Sequence, residues 1–253
     1  MTRRPAQVWS RSPRAKATVV MSSSGSPMTD QPENDIEPSD EPTPAEIETP
    51  PAGTEEYFGA AFPAAQRYAE HLATTGIEWG LIGPREVDRL WTRHILNCAV
   101  VAEYIGENEV VGDVGSGAGL PGVPIALMRP EAKIVLIEPM ERRVEWLTMV
   151  VEDLGLKNVR IVRARVEDLV DEEMFTVVTA RAVKAMTTLI EWTREVMSPG
   201  GRILALKGAS VEGELVKAKK LIKRYRLSQP QIHVVDGGGI LEVPSRVVEI
   251  VKK

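Results

Sequence analysis

The segment GDVGSGAGLPGVPIA, residues 112–126, constrains the fold of this chain more than any other stretch. It follows the apolar pair Val110–Val111 and leads into another apolar stretch, which indicates a strand, a tight turn and the start of a helix. Because glycine has no Cβ atom, a ligand can touch the main chain of such a turn. The N–H groups at the start of the next helix favour an anion. A turn with a structural role alone is the alternative.

Short apolar strands alternate with amphipathic helices after this segment. The pattern predicts strands near 110–114, 133–138, 159–163, 175–180 and 201–206. It predicts helices at 120–128, 140–154, 184–197 and 210–226. Such an alternation is typical of an α/β fold with a doubly wound, mostly parallel sheet that is covered on both faces. Residues 231–236 and 245–252 follow without a helix between them, and they predict a closing antiparallel hairpin.

Composition divides the chain into three regions. Residues 1–56 are rich in Pro, Glu, Ser and Thr and hold five basic and ten acidic residues. Such a segment cannot bury enough apolar surface to offset its ordering entropy, so we predict a disordered tail, within which Met21 and Met28 are alternative start positions. Two helical patterns predict an N-terminal helical cap over 57–106, and 107–253 form the predicted main domain.

Several classes of protein are excluded by composition. The chain has 253 residues, of which 43% are hydrophobic, and this suits one sizeable core. Its apolar runs are shorter than the roughly 18–20 residues of a membrane helix, and the N-terminus lacks the apolar block of a secretory signal. A single cysteine, Cys98, excludes a disulfide framework and a multi-cysteine metal site. We therefore expect a cytoplasmic protein with no membrane partner and no metal.

Two acidic residues follow the next strands. Glu138 ends the second strand, 19 residues after Gly119, where a carboxylate can accept hydrogen bonds from both ribose hydroxyls of an adenosine ligand. Glu167 follows the third strand, where an acidic side chain or the main chain can contact an adenine edge. With Gly115 and Gly117, these residues predict a site for an adenosine cofactor.

The spacing of the glycines favours S-adenosylmethionine over a dinucleotide. The dinucleotide fingerprint is G-x-G-x-x-G, whereas this loop is G-S-G-A-G-L-P-G. Asp113 lies two residues before the first glycine, where its carboxylate would repel a pyrophosphate and suit an ammonium group and a sulfonium. Two alternatives stay open: an NAD-dependent oxidoreductase, and a non-catalytic RNA- or ribosome-binding protein on a degenerate form of the fold.

The stretch DVGSGAGLPGVPIA resembles the first motif of the bacterial 16S rRNA guanine-N7 methyltransferases, also called the glucose-inhibited division protein B family. Matching segments follow in the family's order and spacing: RHILN at 93–97, ERRVEWL at 141–147, ARVEDL at 164–169, TARAV at 179–183 and ALKG at 205–208. The resemblance covers roughly residues 57–252. It implies a class I methyltransferase sheet of seven strands, the last one antiparallel. It also implies methyl transfer from S-adenosylmethionine to N7 of a specific guanine in 16S rRNA, free or in the 30S particle. We expect a monomer, and the sequence leaves the oligomeric state open.

Together with the loop chemistry, the resemblance implies roles for individual residues. The residues expected at the cofactor are Gly115, Gly117, Gly119, Leu120, Glu138, Val166, Glu167 and Arg181. Arg181 is also the expected catalytic residue. The residues expected at the RNA are Arg93, Arg142, Arg143 and Lys207. Asn97 and Glu138 stand where the family often has Asp, so residue 97 lacks that charge here.

The absence of certain catalytic residues from the sequence excludes some methyl-acceptor atoms. Cys98 precedes the glycine loop on an apolar helix and is expected in the core, which leaves no cysteine nucleophile for methylation of a pyrimidine C5. The segment after the fourth strand, TARAVKAM, lacks the Asn/Asp-Pro-Pro-aromatic turn common among methyltransferases of exocyclic amines. Guanine N7 needs no proton removed before attack, so we predict no essential general base. The basic segment 217–226 is either a solvated helix face or a contact for RNA phosphates.

Overall fold

Seven strands form one sheet in the computed structural model, which describes residues 46–182 and 185–253. They are β1 (Val110–Val114), β2 (Lys133–Ile137), β3 (Val159–Val162), β4 (Phe175–Arg181), β5 (Met197–Lys207), β6 (Gln231–Val235) and β7 (Ser245–Val251). Their order across the sheet is β3-β2-β1-β4-β5-β7-β6. The first five are parallel, and β7 runs antiparallel to β5 and β6. The predicted doubly wound sheet, antiparallel last strand and closing hairpin are confirmed.

Eight α-helices accompany the sheet in the described residues. They are α1 (Thr54–Phe58), α2 (Phe62–Ala73), α3 (Thr75–Glu78), α4 (Asn97–Ala99), α5 (Gly122–Met128), α6 (Glu141–Asp153), α7 (Met186–Thr193) and α8 (Val211–Arg224). None of the helices within 46–182 and 185–253 combines the length and apolar character that crossing a membrane requires. The predictions for residues 1–45, Val183 and Lys184 lie outside the described residues.

The region before β1 is less regular than its apolar spacing predicts. Within the predicted helical cap, a 3-10 turn (Pro84–Arg89) leads into a π-helix (Leu90–Leu96), then α4 and a second 3-10 turn (Val100–Tyr104). Periodicity finds the helical character of such a segment, but the local hydrogen-bond register depends on its tertiary contacts.

Both faces of the sheet are buried, as the apolar strands require. On β2, Ile134 and Leu136 join the hydrophobic cluster that holds α5, α6 and the N-terminal helices. The intervening Val135 and Ile137 join the cluster of α7 and α8. Because successive side chains of a strand point to opposite faces, a continuous apolar run is stable only between two layers of helices.

Glu48, which precedes the predicted boundary at residue 57, contacts the helical region. The Glu48 N–H donates to the Val87 carbonyl oxygen at 3.0 Å. The Glu48 carboxylate accepts hydrogen bonds from the N–H groups of Trp91 (2.7 Å) and Thr92 (3.0 Å), at the start of the π-helix. A carboxylate stabilises a helix start by pairing N–H groups that have no partner within the helix. Composition cannot reveal this role, because the contact lies more than 40 positions along the chain.

Gly112 tests the packing of the central strand. A Cβ atom at this position of β1 would lie 2.9 Å from the ring of the fully buried Phe175. We expect Gly112→Ala to lower the free energy of unfolding by about 1–3 kcal/mol, since the ring must shift in a dense core. The control, Gly213→Ala, lies in α8 with nothing within 4 Å and should raise it by about 0.5–1 kcal/mol. Urea unfolding followed by circular dichroism measures both, and equal stabilities would contradict this packing.

Candidate active site

The glycine loop between β1 and α5 is fastened to the end of β2. The N–H groups of Gly115 and Ser116 donate to the Ile137 carbonyl oxygen at 2.9 and 3.2 Å. Gly115, Gly117 and Gly119 have φ angles of 70°, 56° and 83°, a region that glycine enters without strain. The predicted bare main-chain turn at the carboxyl end of β1 is therefore present.

A buried carboxylate, that of Asp113, joins the two ends of this loop. Asp113 Oδ2 accepts a hydrogen bond from the Gly122 N–H at 3.0 Å. A Cβ atom on Gly122 would lie 2.6 Å from that oxygen and 2.3 Å from Leu136 Cδ2, so only glycine fits there. Gly122 was not among the predicted site residues, although its spacing from Asp113 is a usable signal in the sequence.

The second carboxylate oxygen of Asp113 is unpaired in the described residues. Oδ1 is buried and has no hydrogen-bond partner among the described residues. Burial raises the pKa of Asp113 to about 7, with a further increase from the nearby Glu138 charge. Buried acceptors are nearly always paired in native proteins. A cationic ligand bound at the loop would lower the cost of keeping this carboxylate charged.

Glu138 lies at the end of β2, buried beside the loop as predicted. Its Oε2 accepts a hydrogen bond from the Gly117 N–H at 3.0 Å, and its Oε1 accepts one from the Met140 N–H at 3.1 Å. The Arg143 guanidinium stands 3.6 Å from Oε2. Since each carboxylate oxygen has two lone pairs, each can accept one further hydrogen bond. Two spare acceptors fit the two hydroxyls of a ribose.

An N-terminal helix clamps the loop from the other side. The Tyr68 hydroxyl of α2 donates to the Ala118 carbonyl oxygen at 2.6 Å, and both groups are buried. A Cβ atom on Gly119 would meet that hydroxyl at 3.3 Å and Val123 Cγ2 at 2.6 Å. Leu120 is buried beside it. Tyr68 was not among the predicted site residues, because helical spacing identifies a buried residue but not its polar partner.

The residues expected at the adenine lie after β3. A 3-10 turn, Val166–Leu169, follows this strand, with Val166 buried and Glu167 half-buried. Because β3, β2 and β1 are neighbours in the sheet, this turn, Glu138 and the glycine loop lie along one end of it. A contact of Val166 or Glu167 with adenine stays a prediction.

Arg181, the last residue of β4, is held by buried residues of the helical region. Its Nη1 donates to Cys98 Sγ at 3.3 Å and its Nη2 donates to His94 Nδ1 at 2.7 Å. His94 Nε2 lies 2.7 Å from Glu86 Oε2. Cys98 is fully buried, as predicted, and burial raises the pKa of its thiol. In the described part of the chain, this leaves three of the five guanidinium N–H groups for a ligand.

A basic cleft of about 750 Å³ opens at Lys207, the residue that follows Leu206, the partner of Arg181 in the pairing of β4 with β5. It contains Arg93 and Lys207, two of the residues expected at the RNA, and also Arg89 and Arg246. Arg246 was missed because it is a neighbour of Lys207 only through the antiparallel pairing of β5 with β7. Lys207 Nζ also contacts Glu214 at 3.0 Å.

The other two arginines expected at the RNA do not line this cleft. Arg142 lies on α6, where its guanidinium covers the Trp79 ring at 5.5 Å and donates to the Glu78 carbonyl oxygen at 3.3 Å. Arg143 stands beside Glu138. The uncharged Asn97 borders the cleft and accepts a hydrogen bond from the Ser245 hydroxyl.

The basic segment 217–226 occupies α8 and the turn after it. Lys219, Lys223 and Arg226 line a separate groove of about 680 Å³, whose floor includes Ile222. The two interpretations of this segment stay open. In the part of the chain that the structure describes, no three His, Cys, Asp or Glu side chains come together as metal ligands, and a metal-free reaction stays a prediction.

Comparison with known proteins identifies the family. The model of the GidB family, described as rRNA small subunit methyltransferase G, matches residues 62–239. The chain belongs to this family. It is an rRNA methyltransferase, and its cofactor is S-adenosylmethionine. The alternatives of an NAD-dependent oxidoreductase and a non-catalytic binding protein are thereby set aside.

Relatives match along most of their length. Ribosomal RNA small subunit methyltransferase G of Renibacterium salmoninarum is 53% identical over 194 residues, which are 76% of this chain and 90% of the relative. The protein of the same name from Paenarthrobacter aurescens is 49% identical over 209 residues, 83% of this chain and 94% of the relative. The structure of P. horikoshii TYW2 in complex with MeSAdo shares the fold, with a TM-score of 0.50, 14% identity and 62% of each chain covered.

Glu138 is the direct test of the cofactor site. Glu138→Gln replaces one acceptor oxygen by a donor, so we expect the affinity for S-adenosylmethionine to fall about tenfold or more. The control Glu141→Gln changes an exposed carboxylate that pairs with Arg163, and it should bind the cofactor like the wild type. Isothermal titration calorimetry measures both, and an unchanged affinity of Glu138→Gln would remove this residue from the site.

The pKa of Asp113 predicts a pH effect on stability in the absence of cofactor. The folded state keeps the proton up to about pH 7, whereas an unfolded aspartate releases it near pH 4. The contribution of this group to stability therefore falls as the pH rises through this range. We expect Asp113→Asn to gain about 2 kcal/mol relative to the wild type between pH 5 and pH 8. Urea unfolding at the two pH values tests this, and a constant difference would contradict the raised pKa.

Proposed function

We propose that the chain transfers a methyl group from S-adenosylmethionine to N7 of one guanine in 16S rRNA. The observation that carries the proposal is the position of Arg181. Arg181 is the last residue of β4. This strand pairs with β1, which leads into the glycine loop, and with β5, whose last residue Lys207 lines the basic cleft. A base placed against Arg181 would thus lie next to the cofactor loop on one side and the basic cleft on the other.

The residues around the loop fit the cofactor. The spare acceptor positions of Glu138 suit the ribose hydroxyls, and the main chain of Gly115, Gly117 and Gly119 admits a close ligand. The orphan oxygen of Asp113 provides negative charge beneath a cationic ligand. When bound, the cofactor supplies an electrophilic methyl group on a positively charged sulfur.

Val166, Glu167 and Leu120 complete the proposed cofactor site. Val166 and Glu167 would contact the adenine, with Val166 acting through its main chain, and Leu120 would contact the cofactor from the loop. Their support is their place at the same end of the sheet as Glu138.

Guanine N7 asks the protein for alignment rather than for proton transfer. Its lone pair lies in the plane of the ring and is free at neutral pH, so no side chain has to act as a base. Guanine presents N7 and O6 side by side as acceptors. Since N7 must face the methyl group, Arg181 would donate to O6 with its remaining N–H groups. Alignment of this kind accounts for a large part of the rate of a two-substrate reaction.

The basic cleft would hold the RNA backbone. Arg89, Arg93, Lys207 and Arg246 place four cationic side chains at one opening, and such groups bind phosphates in a salt-dependent way. Arg142 and Arg143, in the first turn of α6, would contact the RNA outside this cleft. We propose that the enzyme acts as a monomer in the cytoplasm, where 16S rRNA and the 30S particle are found.

Replacement of Arg181 tests its role. We expect Arg181→Ala to lower the rate of methyl transfer to rRNA about a hundredfold, because O6 loses the donor that orients the base. The control Arg160→Ala removes an exposed arginine that pairs with Glu173, and it should keep the wild-type rate. Transfer of labelled methyl groups to small subunits from cells without the gene measures both. Equal rates for the wild type and Arg181→Ala would contradict the proposed role.

The modified atom is identified separately. Mass spectrometry of 16S rRNA from cells with and without the gene should find N7-methylguanine at one position only when the gene is present. Methylation of another atom, or of no nucleotide in 16S rRNA, would overturn the proposed function.

A further inference from the structure

We infer that His94 is a positioning residue for Arg181, and that Glu86 keeps the His94 ring in the form that can do so. His94 would direct the guanidinium toward the substrate by accepting a hydrogen bond from it. This inference rests on the proposed role of Arg181 in methyl transfer. It adds two residues that do not themselves touch substrate or cofactor.

The chemistry of the two side chains determines the tautomer of His94. A guanidinium has donors and no acceptor, so the contact of Arg181 Nη2 with His94 Nδ1 at 2.7 Å requires a lone pair on Nδ1. The ring proton is then on Nε2, which donates to Glu86 Oε2 at 2.7 Å. The protonation of both ring nitrogens is thus fixed by one partner on each side.

The neutral ring is stable under physiological conditions. His94 is 7% exposed, and burial together with the Arg181 charge lowers its pKa to about 4. Burial opposes ionisation of Glu86, but its hydrogen bonds with His94 and Arg89 outweigh this and lower its pKa. At neutral pH the network therefore consists of a carboxylate, a neutral imidazole and a guanidinium.

The backbone that carries His94 is itself anchored. His94 lies in the π-helix Leu90–Leu96, a rare form of helix that is frequent at functional sites. The Glu48 carboxylate holds the start of this helix through the N–H groups of Trp91 and Thr92. These two hydrogen bonds fix the start of the helix three residues before His94.

The remaining contact of Arg181 within this network is weaker. Cys98 Sγ accepts from Nη1 at 3.3 Å, and a thiol sulfur is a poor acceptor. The donor is the same charged guanidinium in both contacts, so the difference in strength comes from the acceptors, and the imidazole nitrogen is the stronger acceptor. His94 Nδ1 is thus the acceptor that sets the orientation of the guanidinium, which leaves its other N–H groups for the base.

Two substitutions of His94 separate the two ring nitrogens. In His94→Asn the side-chain oxygen replaces Nδ1 and can accept from Arg181. In His94→Gln the amide replaces Nε2, near Glu86, and Nδ1 has no substitute. We expect His94→Gln to lower kcat tenfold or more, with KM for the small subunit and the affinity for S-adenosylmethionine within about twofold of the wild type. His94→Asn should stay within about threefold of the wild-type kcat.

His71→Gln is the matched control. His71 also lies on a helix with Nε2 2.9 Å from a carboxylate, that of Asp153, but it has no contact with Arg181. Its kcat should equal that of the wild type. Equal kcat values for the Asn and Gln variants of residue 94, or a wild-type kcat for His94→Gln, would overturn the inference.

Glu86→Ala serves if the variants of the buried His94 do not fold. The Glu86 side chain is 23% exposed, so the core tolerates its removal. We expect kcat to fall about fivefold, because the tautomer of His94 is no longer fixed. If Glu86 acted only by neutralising Arg89 and Arg93, its loss would lower KM for the small subunit and leave kcat unchanged, and this result would contradict the inference.

Nitrogen NMR tests the network without any methyl transfer. In the wild-type protein labelled with ¹⁵N-histidine, the His94 signals should show a protonated Nε2 and an unprotonated Nδ1. The Nδ1 signal should shift in Arg181→Lys, while the signals of His71 stay in place. A protonated Nδ1 would overturn the inference. An inactive wild-type enzyme would instead refute the proposed function and leave this measurement valid.

Discussion

The hydrogen bond from the Gly122 N–H to Asp113 Oδ2 is the contact on which the site depends. It closes the loop between β1 and α5 over a fully buried carboxylate, and it is possible only because residue 122 has no Cβ atom. Once closed, the loop lies where Glu138 can accept from the Gly117 N–H and where Tyr68 can donate to Ala118. One end of the sheet thereby becomes a rigid main-chain surface.

Different strands of the sheet carry the residues proposed for the cofactor and those proposed for the RNA. The ends of β1, β2 and β3 carry the loop, Glu138 and Val166, which together suit an adenosine ligand. The end of β5 carries Lys207 and the start of β7 carries Arg246, and these residues line the basic cleft together with Arg89 and Arg93 of the helical region. Arg181 stands at the junction, since β4 pairs with β1 on one side and with β5 on the other. This arrangement brings the proposed cofactor loop and the basic cleft to neighbouring positions along one end of the sheet.

Much of this was predictable from sequence, and the exceptions share a physical cause. The strands of the parallel sheet and most helices follow from apolar periodicity, and the glycine loop and Glu138 follow from local spacing. Tyr68, Glu48 and Arg246 act through partners 39 or more positions away, which a single sequence does not reveal. The π-helix was missed for the same reason, since its register depends on the Glu48 carboxylate and on the packing around Trp91.

A crystal structure of the protein with S-adenosylhomocysteine tests the central claim most directly. The account predicts both ribose hydroxyls within hydrogen-bond distance of the Glu138 carboxylate, with the ligand against the main chain of Gly115 and Gly117. It also predicts that the Asp113–Gly122 contact is unchanged. A ligand bound elsewhere on the protein, or a loop that must open by breaking that contact, would contradict the account.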